Sequence, residues 1–146
     1  MTTLRLGTAI HPVRAGRGWD LRAPLGVAAL AAGAVGVVAL VDPNQPGHYP
    51  TCPFLALTGL QCPGCGSLRA VHAMAHGDVS VALGLNVLTV LAAVALVVIW
   101  LRWVRRSWTG RPRTGVAPPA MLWSLAVVVV VFAVVRNMPF GAFLAP

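Results

Sequence analysis

The stretch from Val79 to Leu101, VSVALGLNVLTVLAAVALVVIWL, decides the architecture. It carries no charge over 23 residues, and its only polar side chains are Ser80, Asn86 and Thr89. A helix needs roughly 20 apolar residues to cross about 30 Å of hydrocarbon. Two further runs meet that requirement. Pro24 to Val41 holds 18 residues with no polar side chain, and Val116 to Val135 holds 20 with Ser124 alone as a polar one. All three are expected to be helical, because an isolated strand in lipid leaves its backbone groups unpaired. Asp42-Pro43-Asn44 ends the first run, Asp78 stands as the expected N-cap of the second, and Pro118 and Pro119 suit the opening turn of the third. The basic stretch before the first run is 23 residues long and no small-x-small cleavage site follows it, so that run reads as a retained anchor.

Composition agrees. Of 146 residues, 58% are hydrophobic and 10% charged, with a mean hydropathy of +0.79. Disorder requires low hydrophobicity, and a soluble core of this size requires more surface charge than the chain owns. The formal net charge of +8 comes from 11 Arg against Asp20, Asp42 and Asp78, with no Lys and no Glu. Acid–base hydrolysis has few candidate groups in such a chain.

The arginines sort by segment. Arg5, Arg14, Arg17 and Arg22 precede the first span, and Arg102, Arg105, Arg106, Arg111 and Arg113 follow the second, whereas Arg69 and Arg136 stand on the other side. With three spans this split of nine against two predicts a cytoplasmic N-terminus and an outward C-terminus. Trp19, Trp100, Trp103, Trp108 and Trp123 fall at the ends of spans predicted to be cytoplasmic, where amphipathic rings settle. The arginines flank spans instead of forming a stripe with stacking aromatics, which argues against nucleic acid and for a lipid bilayer as the main partner. The expected fold is therefore all-α and integral to the membrane. A cytoplasmic basic tail covers 1–23 and a membrane domain 24–137, with spans at about 24–41, 79–101 and 116–135 and a cytoplasmic basic loop at 102–115. An outward loop covers 42–78 and an outward tail 138–146. A membrane-protein partner or self-association is expected, since three helices bury little of one another.

All three cysteines lie in the outward loop, as Cys52-Pro53 and then Cys62-Pro63-Gly64-Cys65-Gly66, together with His48, His72 and His76. From Gly66 a short amphipathic helix is predicted, closed by Gly77. Helical spacing puts Cys65, Arg69, His72 and His76 along one stripe, with Leu68, Val71, Met74 and Ala75 left for packing. Three readings stay open. Cys-Pro-x-Cys-Gly resembles the knuckle of zinc ribbons, with Cys52, Cys62 and Cys65 as candidate ligands and His72, His76 or His48 as a fourth. A Cys-x-x-Cys before a helix, with Arg69 one turn on, also suits thiol–disulfide exchange, with Cys62 attacking, Cys65 resolving and Cys52 as relay. Alternatively one disulfide simply pins the loop. Asn86, about two turns into the second span, is expected either to bond a neighbouring helix or to face Arg69 or a ligand.

The core CPGCGSLRA (62–70), the preceding Cys-Pro, the histidine-bearing helix and Asn86 resemble a bacterial membrane family, domain-of-unknown-function family 2752. Its usual core is Cys-Pro-x-Cys-Gly-x-Thr-Arg-Ala, which Cys62, Pro63, Cys65, Gly66, Arg69 and Ala70 match, while Leu68 stands where the family has Thr. The resemblance extends over roughly 45 to 137, including the Arg136-Asn137 exit from the third span. It implies a small helical membrane protein of a bacterial cytoplasmic membrane, with no activity attached. The sequence thus predicts a non-enzymatic membrane component whose Cys-rich loop is held by a disulfide or a metal, zinc being the expected ion, with thiol–disulfide oxidoreductase as the alternative.

Overall fold

The computed structural model describes residues 21–110 and 118–144. The expected basic tail up to residue 20, Arg111, Arg113 and the opening of the third run at 116–117 lie outside them. Five α-helices follow in chain order: α1 (Arg22–Leu40), α2 (Pro53–Thr58), α3 (Ser67–Ala75), α4 (Val79–Thr109) and α5 (Pro119–Arg136), with a closing 3-10 helix at Pro139–Leu144. No strand occurs among the described residues. Three of the helices, α1, α4 and α5, are long and apolar enough to cross a membrane.

The expected second span extends well past Leu101. With no Gly or Pro to stop it, α4 runs on through the Trp- and Arg-rich segment and closes only at Gly110, whose φ of 63° supplies the left-handed turn. At 31 residues it measures about 46 Å, more than a bilayer's hydrocarbon thickness. It is also two helical segments instead of one. Asn86 holds an extended backbone (φ −165°, ψ 95°), and its Oδ1 accepts a hydrogen bond from the Thr89 N–H at 3.0 Å. That is the bond of an N-cap residue, here placed inside an apolar run, where it restarts the helix.

Chain direction alternates. Trp100 Nε1 donates to the Pro24 carbonyl at 3.0 Å, tying the start of α1 to the arginine-bearing end of α4. At the opposite end α3 lies against both α1 and α4, and Arg136 at the end of α5 arrives at the same place. The membrane-length helices leave most of their apolar side chains uncovered, Leu30 and Leu40 among them. The tightest packing is instead where α3 sits on α4, around Ala70, Ala73, Ala82 and Val90, with Met74 and Leu85 alongside.

This corrects the expected packing face of α3. Leu68 and Ala75 are exposed; the buried positions are Ala70 and Ala73, because small side chains let the backbones of α3 and α4 approach closely. The predicted closure at Gly77 is present. With φ at 87°, Gly77 donates to the Met74 carbonyl and Asp78 N–H to that of Ala73, the paired bonds of a Schellman ending. Asp78 occupies the N-cap position of α4 as expected, but its side chain makes no capping bond. Helix α2 has no counterpart among the expected elements: Pro53 starts it, and Gly59 (φ 70°) ends it after about a turn and a half.

Candidate metal centre

Two tight turns bring the cysteines together. Cys52 immediately precedes α2, and Gly59 then reverses the chain toward Gln61. Asn137, just past α5, straps that return. Its Oδ1 accepts from the Gln61 N–H and its Nδ2 donates to the Gln61 carbonyl, both at 2.8 Å. From there Cys62-Pro63-Gly64-Cys65 folds into a knuckle, closed by Cys65 N–H on the Cys62 carbonyl at 3.1 Å and released into α3 by the positive φ of Gly66. The Cys62 sulfur lies 3.0 Å from that of Cys65 and 3.4 Å from that of Cys52, and all three fall within 4.8 Å of one another. All three are free thiols.

The knuckle's carbonyls point inward and are met by two buried side chains. Asn86, 1% exposed, donates through Nδ2 to the carbonyls of Pro63 at 2.9 Å and Cys65 at 3.0 Å. Arg136, 2% exposed, donates through Nη1 to the carbonyls of Cys62 at 3.0 Å and Cys65 at 3.2 Å, with its guanidinium 5.1 Å from the centre of the Phe132 ring. Its Nε and Nη2 are buried without a hydrogen-bond partner. Behind the knuckle Ser67 Oγ and Thr89 Oγ1 share a 2.7 Å bond, so a polar seam joins the start of α3 to α4.

The thiols are not equivalent. Burial, reinforced by the neighbouring Cys62 sulfur, pushes Cys65 up to about 12. Cys52 is held below its ordinary value by the Leu55 backbone amide, with the Cys62 side chain adding to the effect. In the metal-free chain a proton therefore leaves Cys52 more readily than Cys65. A bound cation would remove that disparity, since coordinated thiols are deprotonated outright.

The histidines do not join the sulfurs. His72 Nδ1 bonds the Val38 carbonyl of α1 at 2.8 Å while its Nε2 lies 3.8 Å from Asp42 Oδ1. The His76 ring stands 4.4 Å from the His72 ring, and His48 bonds the Asp42 carbonyl. The three form a separate group at the end of α1. The stripe expected from Cys65 through Arg69 to His72 and His76 breaks at its first member, because Gly66 takes a left-handed turn and leaves Cys65 outside the helix. Asp42, which accepts from the Asn44 N–H and side chain, is held below the usual carboxylate range by those bonds first and by His72 and His48 after them.

Arg69 likewise makes no bond to Asn86. It is half-buried, has no hydrogen bond or ion pair with any described residue, and lines an open cavity of about 540 Å³ that Cys52 and Cys65 also line. Asn86 stands out by its place in an apolar run. Arg136 enters the sequence reading as one of two outward arginines and in the Arg136-Asn137 exit that the resemblance includes; the further signal is that an arginine ending a span without a nearby acidic residue needs an internal partner.

Residues 52–100 match the model of a family described as protein of unknown function (DUF2752). The match runs from the first cysteine through the knuckle and α3 to Trp100, supporting the resemblance noted on the cysteine core over a shorter stretch than 45–137. Arg136 and Asn137 lie beyond it. Neither the comparison with curated proteins nor that with solved structures gives a match.

Proposed function

We propose that this chain is a non-enzymatic component of a bacterial cytoplasmic membrane whose outward cap is organised by one thiophilic metal ion, zinc being the expected one, held by Cys52, Cys62 and Cys65. The single observation that carries this reading is the meeting of three sulfurs beside a buried arginine. Tetrahedral zinc with sulfurs at about 2.3 Å separates them by about 3.8 Å, so separations of 3.0 and 3.4 Å need open by less than about 1 Å. Charge supports the same assignment. Three thiolates and a divalent cation sum to −1, which the Arg136 guanidinium neutralises. A neutral disulfide with a protonated third thiol would leave that guanidinium buried without a counter-charge, an expensive arrangement.

Orientation follows from the charge split. Arg102, Arg105 and Arg106 gather at the end of α4 to which Trp100 ties the start of α1, while Arg69 and Arg136 stand at the cap end, which supports a cytoplasmic N-terminus and an outward cap. The cap would present its surface to a membrane partner or to a second copy of the chain.

Thiol–disulfide exchange is favoured by a different observation: the Cys62 sulfur is within 3.4 Å of both others, so it is able to pair with either. One experiment separates the readings. Protein purified in detergent without reductant is subjected to elemental analysis and to intact-mass counting of alkylated thiols. About one metal per chain, with three thiols released together by chelator, is the expected result. Well under one metal per chain, with two thiols recovered only after reduction, overturns the metal reading in favour of the disulfide.

A further inference from the structure

Three protein thiolates leave a tetrahedral ion one position short, and structural sites fill that position with protein whereas open ones leave it to solvent or ligand. His72, His76 and His48 are engaged at the end of α1. The open cavity offers the alternative. Cys52 and Cys65 form part of its wall, and Arg69, Tyr49 and Gln61 another part. No acidic side chain lines it, and the Arg69 guanidinium has no partner among the described residues. The Tyr49 hydroxyl and Gln61 Oε1 are buried in its wall without hydrogen bonds, so Arg69 is the charged group that this space offers.

Charge defines what this space selects. With the ion and three thiolates balanced by Arg136, Arg69 remains as one positive charge, and a planar guanidinium fork matches the oxygens of a phosphate. We propose that the cap binds a phosphate oxyanion in this cavity, one oxygen completing the metal's coordination and the others pairing with Arg69. The phosphate is supplied either free in solution or as a lipid headgroup at the membrane surface. This inference rests on the metal reading of the site.

The test uses the full chain loaded with cobalt(II) in place of zinc, so that sulfur-to-cobalt absorption reports the thiolates and the visible bands report the fourth ligand. In maltoside detergent, inorganic phosphate is titrated into wild type and Arg69→Gln. The same spectra are recorded in phosphatidylglycerol nanodiscs, first without phosphate and then with inorganic phosphate added. Bands that shift with inorganic phosphate identify the free anion. Bands already shifted in nanodiscs and insensitive to added phosphate identify the headgroup. In either case Arg69→Gln, which still loads cobalt, should weaken the response by about tenfold or more, the worth of a charge-assisted pair. Cobalt bands unchanged in both settings, or an Arg69→Gln response equal to wild type, overturn the oxyanion site while leaving the metal centre standing. Absence of sulfur-to-cobalt absorption overturns the metal centre, and this inference with it.

Discussion

Replacing Asn86 tests whether a polar residue inside an apolar helix holds the cysteine knuckle in shape. Its amide donates to the carbonyls of Pro63 at 2.9 Å and Cys65 at 3.0 Å, and its Oδ1 accepts from the Thr89 N–H at 3.0 Å. At about 1 kcal/mol net for each bond, Asn86→Ala loses about 3 kcal/mol. Arg136 still reaches the Cys65 carbonyl at 3.2 Å, which trims the loss, while a part-buried Thr89 N–H left without its acceptor restores it. A loss of about 3 kcal/mol raises the local opening equilibrium about a hundredfold. Cys65 is the proper reporter because it is 8% exposed, whereas Cys52 and Cys62 are partly accessible without any opening. In chelator-stripped protein at neutral pH, maleimide labelling of Cys65, followed by peptide mass mapping, should therefore accelerate about a hundredfold. Asn86→Asp keeps the volume but turns an acceptor toward two carbonyls, so it should label at least as fast as the alanine variant. Rates for both variants within about threefold of wild type would refute the reasoning. A fast alanine variant beside a slow aspartate variant would mean that Asn86 acts by filling space and not by donating hydrogen bonds.

The other expectations concern the same end of the molecule. Arg136→Met removes the counter-charge and should weaken metal retention, read as chelator-extraction rate, by well over tenfold, while Arg136→Lys keeps the charge but loses the fork and should fall between. Gly141 is buried, and a Cβ there would meet the Val135 carbonyl oxygen, so Gly141→Ala should push the 3-10 helix off the end of α5 at a cost of about 1–3 kcal/mol, visible as a lower melting temperature in detergent. In stripped protein Cys65 is raised from 9.0 to about 12, so it contributes stability that is full below about pH 9 and is lost as pH climbs toward 12; melting temperature should fall across that window. Metal-loaded protein should instead lose its cap on acidification, as protons compete for the thiolates.

Much of the architecture is legible because bilayer thickness imposes a run length that few other constraints imitate. The three apolar stretches are helices, and Gly77 ends α3 where its backbone freedom is needed. Local signals fail where the outcome depends on what lies next in space. The continuation of α4 to Thr109 follows from the absence of a breaker before Gly110, a cue weaker than the end of apolarity at Leu101. The cysteines are legible as a group from their spacing. The removal of the histidines from that group is not, because it turns on one left-handed residue, Gly66, that takes Cys65 out of helical phase.

Membrane-length helices and the gathering of arginines on one flank are properties of the linear chain, since hydrophobic run length and the order of charges are themselves one-dimensional. Which groups meet the sulfurs is a three-dimensional matter. Asn86 reaches the Cys65 carbonyl from 21 residues away and Arg136 reaches it from 71, and no periodicity links such positions. They converge because the inward-facing carbonyls of the knuckle need donors where water is scarce, and among the described side chains an amide on α4 and a guanidinium at the end of α5 arrive there. Of the two arginines the sequence leaves on the cap side, one thus supports the knuckle from beneath and the other opens onto the cavity above it.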